Sequence, residues 1–399
     1  MSSSDPAQRR SRLGDPGERR LLFADLHNHS LHSDGRGDPE RAFGQLREAG
    51  LDVAALTDHA SIPADRLAHL GLDDYPHEQA LAVARYAPHS IDDEAWKRTA
   101  EFADAHDVPG EFTALRGFEW TEPWLGHVNV WFSQQYVPVT TPGRLDGLHD
   151  FLTGTDPSAL FGYNHPGREP GRLDGFSRSL PDVDRREALT RRMVALEVFN
   201  RTYDFLFEGT DDGHRSPIAE CLDAGWRPGL IGCSDEHGRT YGLVGKGRTG
   251  LWAPEHSRAG VRATLEGRRT YATREVGLRL DATLDGVPMG SDLRTGRTAQ
   301  LAVDLAGGGY DGHAAQLQVL GSSAFADRSG GGGAGGVHVV ATATVTVGEV
   351  STITVAVPDD ARWLVLRVGD PQRPFGATHP RAHSGLGWAL GYASPWFLA

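Results

Sequence analysis

Clusters of histidine and acidic residues recur through the first 237 residues of the chain. They are Asp25-Leu26-His27-Asn28-His29, Asp34, Thr57-Asp58-His59, Glu119, His127, Asn164-His165-Pro166-Gly167 and Ser234-Asp235-Glu236-His237. Imidazoles and carboxylates are the protein ligands of divalent cations such as zinc, manganese and iron. Three acidic and six imidazole donors suit two or three such ions. The pattern predicts a metallohydrolase.

Apolar runs precede most of these clusters and predict the strands that position them. The runs cover residues 21–26, 51–56, 112–118, 128–132, 159–163, 193–199 and 229–233. Helical patterns lie between them; Asp38-Pro39-Glu40, for example, predicts the start of a helix that ends at Gly50. Alternating strands and helices indicate an α/β fold with a mostly parallel sheet. In an α/β barrel, residues at the carboxyl ends of the strands meet in one site.

The remaining segments divide the chain. Residues 1–20 are polar and arginine-rich and are predicted to be a disordered leader, with the metallohydrolase domain at 21–275. Within that domain, 61–110 is predicted to be an insertion that acts as a lid or substrate wall. Residues 276–399 alternate in valine and threonine and predict an antiparallel β-sandwich, with a flexible glycine loop at 329–336.

Bulk properties exclude several classes of protein. A net charge of −13 opposes binding to nucleic acid, and two cysteines cannot form a disulfide framework. Residues 1–20 lack an apolar core, so we do not expect them to act as a secretory signal, and we find no apolar stretch of membrane-spanning length. We therefore expect a cytoplasmic enzyme that binds a small-molecule substrate, with neither nucleic acid nor membrane as a partner. The oligomeric state stays open.

Taken singly, each ligand candidate has an alternative explanation. Asp34 beside a glycine is typical of a turn, and Glu119 between aromatic residues is typical of a buried salt bridge. His127 or His165 alone is more typical of a structural histidine. Asp58, like Asp25, is predicted to orient neighbouring histidines rather than to bind metal.

Taken together, the motifs resemble the polymerase-and-histidinol-phosphatase (PHP) superfamily of metal-dependent hydrolases. The matching segments are D-L-H-N-H-S-L-H-S-D-G, L-T-D-H, G-F-E-W, G-H-V-N-V, N-H-P-G and C-S-D-E-H-G, within residues 21–238. The resemblance implies a distorted seven-stranded (βα) barrel and a trinuclear site of zinc, manganese or iron.

The resemblance also assigns the ligands of each metal. The first metal would be held by His27, His29, Glu119 and Asp235. Glu119 would bridge to a second metal on His127 and His165, and the third would be held by Asp34, His59 and His237. Later motifs, such as Arg268-Arg269-Thr270-Tyr271-Ala272-Thr273, resemble a branch that includes carbaryl-hydrolase-like enzymes.

The leading hypothesis is hydrolysis of a small phosphate ester by a metal-bridging hydroxide, so that the chain is a phosphoesterase. The residues expected at the reaction centre are Glu119, Asp235, His237, Arg168 and Arg239, with the two arginines on phosphoryl oxygens or, equally, on the surface.

Two other functions remain open at this point. Hydrolysis of a carboxyl ester or carbamate would use Trp120, Trp124 and Tyr163 as an apolar pocket, although these residues also suit the barrel core. A metal-stabilised protein without catalytic activity is the other alternative.

Overall fold

The computed structural model describes residues 9–14, 18–71, 76–168, 183–206, 216–326, 332–373 and 388–398. Its strands are β1 (Arg20–Asp25), β2 (Val53–Leu56), β3 (His59–Ala60), β4 (Thr113–Glu122), β5 (Gly126–Trp131), β6 (Leu160–Tyr163), β7 (Met193–Asn200), β8 (Tyr203–Asp204), β9 (Gly229–Cys233), β10 (Arg248–Ala253), β11 (Thr270–Thr273), β12 (Leu278–Leu284), β13 (Val287–Pro288), β14 (Asp292–Leu293), β15 (Thr298–Gly307), β16 (Ala314–Ala326), β17 (Gly332–Thr346), β18 (Val350–Ala356), β19 (Trp363–Asp370), β20 (Trp388–Ala393) and β21 (Trp396–Leu398). Its helices are α1 (Pro39–Glu48), α2 (Ala64–Leu67), α3 (His77–Tyr86), α4 (Asp93–His106), α5 (Asp146–Asp150), α6 (Val183–Arg192), α7 (Pro217–Asp223) and α8 (Arg258–Glu266).

The seven predicted strands of the first domain pair in one continuous order. Parallel ladders join β1 to β2, β2 to β4, β6 to β7, and β7 to β9. β5 is antiparallel to both β4 and β6. The three-residue link from β4 to β5 explains this, because a parallel crossover needs a connection of about a dozen residues. A parallel bridge between Asn28 and Glu236 joins the extensions of β1 and β9. The chain is therefore a mixed α/β protein with a large sheet, and the predicted α/β fold class is confirmed.

Helix α1 forms where the sequence predicts it. The Asp38 side chain accepts a hydrogen bond from the backbone N–H of Glu40, and Pro39 occupies the first turn. The helix buries Phe43 and Leu46 against the sheet. Gly50 follows at a φ of 83°, which lets the chain turn into β2.

The insertion contains the two predicted helical stretches, now seen as α3 and α4. Asp92 caps α4 by accepting a hydrogen bond from the backbone N–H of Ala95. Trp96, Thr99 and Ala103 form the buried face of α4. Helix α4 packs on β4 and α1, so the insertion is anchored to the domain that it interrupts.

The segment after residue 276 is strand-rich, as its alternation predicts. Strands β13, β12, β15 and β18 form a separate antiparallel sheet in that order. Strands β16, β17, β19, β20 and β21 pair among themselves, and β20 also pairs with β11 of the first domain. Both groups of strands contribute side chains to one buried apolar cluster, including Leu280, Leu284, Leu301, Val303, Leu317, Leu366, Val368 and Leu390.

The glycine-rich segment differs from its prediction. Residues 332–336 belong to β17, which pairs with β16 as far as Gly332 opposite Ala326. The prediction of a flexible loop over 329–336 is therefore wrong for 332–336, and 329–331 lie outside the described residues. A ladder uses backbone groups alone, so a long partner strand can hold glycines in place.

Residues 9–14 and 18–20 of the predicted leader are described by the structure, and they contact distant parts of the chain. Arg9 is buried and forms an ion pair with Asp52. Arg12 forms an ion pair with Asp304, and its Nη2 lies 2.7 Å from the Oδ1 atom. Long-range carboxylates hold this arginine-rich segment, and local composition does not reveal them. None of the helices in the described ranges is long and apolar enough to cross a membrane.

Loss of the apolar contacts between the two C-terminal groups of strands should destabilise the fold. The Leu280 side chain is fully buried, so we expect Leu280→Ala to lower the free energy of unfolding by about 2–5 kcal/mol. Urea unfolding followed by circular dichroism measures this loss. The matched control is Leu81→Ala, because Leu81 is 57% exposed and should change stability by less than about 0.5 kcal/mol. Equal stability of the two variants would contradict the shared core.

Candidate metal centre

All nine predicted ligands lie at one edge of the large sheet. Eight of them stand on or after the later part of a strand, which places them at the carboxyl edge of the parallel strands. His127 is the exception, since it lies at the start of β5. Because β5 runs antiparallel to its neighbours, its amino end lies at that same edge.

Glu119 occupies the middle of this arrangement. Its Oε1 atom lies 3.2 Å from His127 Nδ1, 3.3 Å from His27 Nε2 and 3.5 Å from His165 Nε2. Its Oε2 atom lies 2.6 Å from His59 Nδ1 and 3.5 Å from His29 Nε2. One buried carboxylate thus contacts five imidazoles contributed by four separate segments of the chain.

The ligand atoms form three groups, each within 4.8 Å, that could hold a metal ion. The groups are His29, Asp34, His59 and His237; His27, His29 and Asp235; and His59, Glu119 and His127. His165 adjoins the last group through Glu119 and through a ring contact of 5.0 Å with His127. Buried carboxylate and imidazole donors crowded together in this way fit divalent cations. Which ion each residue would bind stays a prediction.

The protonation states of the site depend on this crowding. Burial alone would raise the pKa of Glu119, but His127 and His27 hold its pKa well below the ordinary value. Burial lowers the pKa of His29 well below its usual range, and His237 and His59 lower it further. Glu119 is therefore ionised and His29 neutral, which are the forms that bind metal.

His59 has the opposite shift. Burial lowers its pKa, but Glu119 and Asp34 outweigh this effect and raise the pKa to about 10. His59 Nε2 lies 3.3 Å from Asp34 Oδ1, and His237 Nε2 lies 3.2 Å from the same oxygen. A metal ion bound at these residues would compete with a proton for the His59 ring.

Glu197 holds the ligands in place and was missed in the sequence. Its Oε1 atom lies 2.8 Å from His27 Nδ1, which leaves Nε2 of that ring to face the centre. Its Oε2 atom accepts hydrogen bonds from the backbone N–H of His165 and the side-chain amide of Asn200, both at 2.8 Å. A glutamate inside the apolar run of β7 was the available signal, because a buried carboxylate is costly unless it is paired.

Asp58 and Asp25 lie beside the ligand groups, as the sequence predicts. Asp58 accepts hydrogen bonds from the Ser30 backbone N–H at 2.6 Å and from the Ser33 hydroxyl at 2.6 Å. Asp25 accepts one from the backbone N–H of Ser234 at 3.1 Å. These bonds hold the loops that follow β1 and β9.

Gly35 is required for a different reason from the predicted turn. A Cβ atom on Gly35 would lie 2.5 Å from the backbone carbon of His29, which is closer than real Cβ atoms approach. The residue therefore lets the Asp34 loop pack against the backbone of a ligand histidine.

Backbone strain is concentrated at the centre. Seven non-glycine residues of the described chain have a positive φ, and His165, Arg201 and Asp235 are three of them. Hydrogen bonds hold two of these conformations, from Asp235 N to the His27 carbonyl and from Arg201 N to the Cys233 carbonyl, both at 3.0 Å. Such strain is typical of functional sites.

A cavity of about 300 Å³ opens onto the ligand groups. It is lined by Asp34, His59, Arg85, Tyr86, His89, Glu119, His127, His165, Arg168, Arg201, Asp235 and His237. Arg85, Tyr86 and His89 come from the insertion, which thus contributes one wall. Tyr86 packs edge-on against His127, with ring centroids 4.9 Å apart.

The arginines at this cavity differ in part from those predicted. Arg168 lies there, with Nη1 3.2 Å from Asp235 Oδ2. Arg239 is exposed and is not among the lining residues. Arg201 was missed, although it directly follows β7; its Nε lies 3.1 Å from Asp235 Oδ2 and its Nη2 3.1 Å from His237 Nδ1.

The predicted aromatic pocket is not formed at this cavity. Trp120 and Tyr163 are buried in the core, and neither they nor Trp124 line the cavity.

Comparison with known proteins adds the following similarities. Residues 64–142 match a family model described as a protein of unknown function, DUF3604. No curated protein matches the chain. One similar solved structure is a two-domain protein from Bacteroides vulgatus ATCC 8482, described as containing a predicted PHP-like metal-dependent phosphoesterase. It is 18% identical, with a TM-score of 0.45, over 97% of this chain and 99% of that one.

Two shorter solved structures are also similar. A putative metal-dependent phosphoesterase from Bifidobacterium adolescentis ATCC 15703 is 14% identical, with a TM-score of 0.32, over 61% of this chain and 95% of that one. The other is histidinol phosphate phosphatase from Lactococcus lactis subsp. lactis Il1403, in complex with zinc, L-histidinol and phosphate. It is 18% identical, with a TM-score of 0.22, over 54% of this chain and 87% of that one.

None of these three is described as a carbaryl hydrolase, and that branch stays a prediction. At these identities and TM-scores, the function proposed below rests on the geometry of the site.

Glu197 should control metal affinity without contacting the metal itself. We expect Glu197→Gln to weaken metal binding by about 10–100-fold, because a neutral amide holds the His27 ring less firmly. Metal content after dialysis against dilute chelator, measured by elemental analysis, tests this. The control is Glu48→Gln, an exposed residue of α1. Wild-type metal retention in Glu197→Gln would show that this carboxylate does not position the ligands.

Proposed function

We propose that this chain is a metal-dependent hydrolase of the PHP type that cleaves small phosphate esters. One observation carries the proposal: a cluster of nine imidazole and carboxylate side chains, seven of them buried, faces a cavity that is also lined by arginines. The ligands suit cations, and the arginines suit an anionic substrate. A phosphate ester requires both.

The proposal includes a finer description of the fold. We infer that β1, β2, β4, β5, β6, β7 and β9 form a distorted seven-stranded (βα) barrel. The bridge between Asn28 and Glu236 supports this, because it connects the first and last strands of the series. For the C-terminal segment we infer a β-sandwich, supported by the apolar cluster between its two groups of strands.

The ligand groups support a site for two or three divalent cations. His27, His29 and Asp235 surround one position, His59, Glu119 and His127 a second, and His29, Asp34, His59 and His237 a third. Bound there, divalent cations supply Lewis acidity, which lowers the pKa of a water molecule and polarises a phosphoryl oxygen. Zinc, manganese and iron all suit this donor set.

The arginines would bind and orient the ester. Arg168 and Arg201 both contact Asp235 Oδ2, so their guanidinium groups lie directly beside a ligand carboxylate. A guanidinium donates two parallel hydrogen bonds to phosphoryl oxygens. Arg85 lines the same cavity from the insertion, and its exposed side chain would contact the substrate as it enters.

The walls of the cavity would keep the reacting groups in place. Glu119 and Asp235 are almost fully buried, so their charges act at low dielectric on whatever occupies the cavity. Tyr86 and His89 belong to the insertion. They cover one side of the cavity and would limit the entry of water. A volume of about 300 Å³ restricts the substrate to a small molecule.

The competing functions receive less support. An aryl ester or carbamate requires an apolar pocket, but the residues lining the cavity are charged or polar apart from the Tyr86 ring. A metal-stabilised scaffold predicts a closed site, whereas here the ligands open onto a cavity.

Chelation and a substrate panel test the proposal directly. Protein treated with chelator should lose turnover of p-nitrophenyl phosphate and regain it with added Mn²⁺ or Zn²⁺, because the reaction needs a cation-activated water. Phosphodiesters, aryl acetates and aryl carbamates complete the panel. Hydrolysis of each substrate is measured as the release of p-nitrophenol or naphthol. Faster turnover of acetates or carbamates than of phosphate esters would replace the proposal with the carboxyl ester alternative.

Arg201 and Arg239 offer a matched pair of substitutions. Arg201→Gln should lower kcat/KM for a phosphate ester by about 10–100-fold, because a charge-assisted hydrogen bond is lost. Arg239→Gln should leave kcat/KM within about twofold of wild type, because the residue is exposed outside the cavity. Steady-state kinetics on metal-loaded protein measures both. The reverse result would restore the role that the sequence predicts for Arg239.

A further inference from the structure

A second cleft, of about 470 Å³, lies on another part of the molecule. Helix α4, strand β4, the segment after β5 and helix α8 form its walls. It shares no lining residue with the cavity at the metal centre. Its volume lies within the range of about 300–1,000 Å³ typical of small-molecule sites.

Three arginines line this cleft: Arg116, Arg258 and Arg262. Arg258 is paired with Asp104 at 2.7 Å and lies 3.4 Å from Asp107. Arg262 is paired with Glu266 at 2.9 Å, one turn along the same helix. Asp104 is the one acidic residue among the lining residues, while Asp107 and Glu266 pair with Arg258 and Arg262 from outside the lining.

Arg116 is the least compensated of the three. It is half-buried, and its Nη2 donates to the Ser133 carbonyl at 3.2 Å. Its guanidinium lies 3.9 Å from the centre of the Trp96 ring. No carboxylate of the described residues forms an ion pair with it. Burial lowers the pKa of Arg116, the nearby Asp104 carboxylate offsets part of this effect, and Arg258 lowers the pKa slightly further.

Part of the cleft lining is apolar. Ala103 and Leu115 are buried there, and the half-buried Phe132 ring packs under Arg262, whose guanidinium carbon lies 5.4 Å from the ring centre. Phe132 has a positive φ of 59°, an uncommon conformation for an aromatic residue. The cleft thus combines a cationic rim with an aromatic and aliphatic wall.

We propose that this cleft binds a small molecule that carries an oxyanion, phosphate or carboxylate, attached to an apolar group. Arg116, with Arg262 and Arg258, binds the oxyanion, because guanidinium groups match its geometry. The apolar group packs on Phe132, Leu115 and Ala103. The inference does not rest on the proposed function, because the cleft shares no residue with the metal centre.

Phenylphosphonate and methylphosphonate are the probes, since their carbon–phosphorus bonds resist hydrolysis at the metal centre. Isothermal titration of the full-length, metal-loaded protein should reveal a binding event that is tighter for phenylphosphonate. Arg116→Gln and Arg262→Gln should each weaken this event by about tenfold or more, because a charged donor is lost. Arg201→Gln should leave it unchanged, which separates it from binding at the metal centre.

Arg191→Gln is the matched control, because Arg191 also lies on a helix and pairs with a glutamate one turn away. Thermal melting shows whether each variant is folded; if Arg116→Gln unfolds, Arg262→Gln decides the outcome. Protection of Arg116 or Arg262 from phenylglyoxal by phenylphosphonate, mapped by mass spectrometry, locates the ligand. Two results would overturn the proposal: no binding, or a single event that Arg201→Gln weakens and both cleft variants leave intact.

Discussion

The burial of the Glu119 carboxylate among five imidazoles is the interaction on which the rest of the structure depends. An isolated charge at this depth is strongly unfavourable, so the surrounding histidines must be held close to it. Holding them requires the loop after β1, the start of β3, the start of β5 and the loop after β6 to meet at one place. The site therefore requires this order and direction of the strands, just as the core does.

Residues that touch no cation in the proposed mechanism keep this centre in place. Glu197 orients His27 and the backbone of His165, and Asp58 holds the loop that carries His29 and Asp34. The same centre tolerates a strained backbone at Asp235 because the hydrogen bond to the His27 carbonyl continues the sheet there. These contacts fix the candidate ligands on the sheet beneath them.

The insertion and the C-terminal strands have different relations to this centre. The insertion is anchored by α4 on β4, and it contributes Arg85, Tyr86 and His89 to the cavity wall. The C-terminal strands extend the sheet through the pairing of β20 with β11. At this junction, the Tyr392 hydroxyl donates to the buried Asp204 carboxylate at 2.8 Å, which joins the two parts of the chain through a polar contact inside the core.

The sequence by itself determined the α/β alternation, the seven strands that lead to the site, the helices α1, α3 and α4, and the nine candidate ligands. These features are local, because a strand period, a helix cap or a short histidine motif is visible within a few residues. Only the tertiary structure decided that Arg201 rather than Arg239 lines the cavity, that Glu197 orients His27, that residues 332–336 form a strand, and that Arg9 and Arg12 pair with distant acids. Each of these depends on groups far apart in the chain, and no local pattern records which partner folding brings within reach.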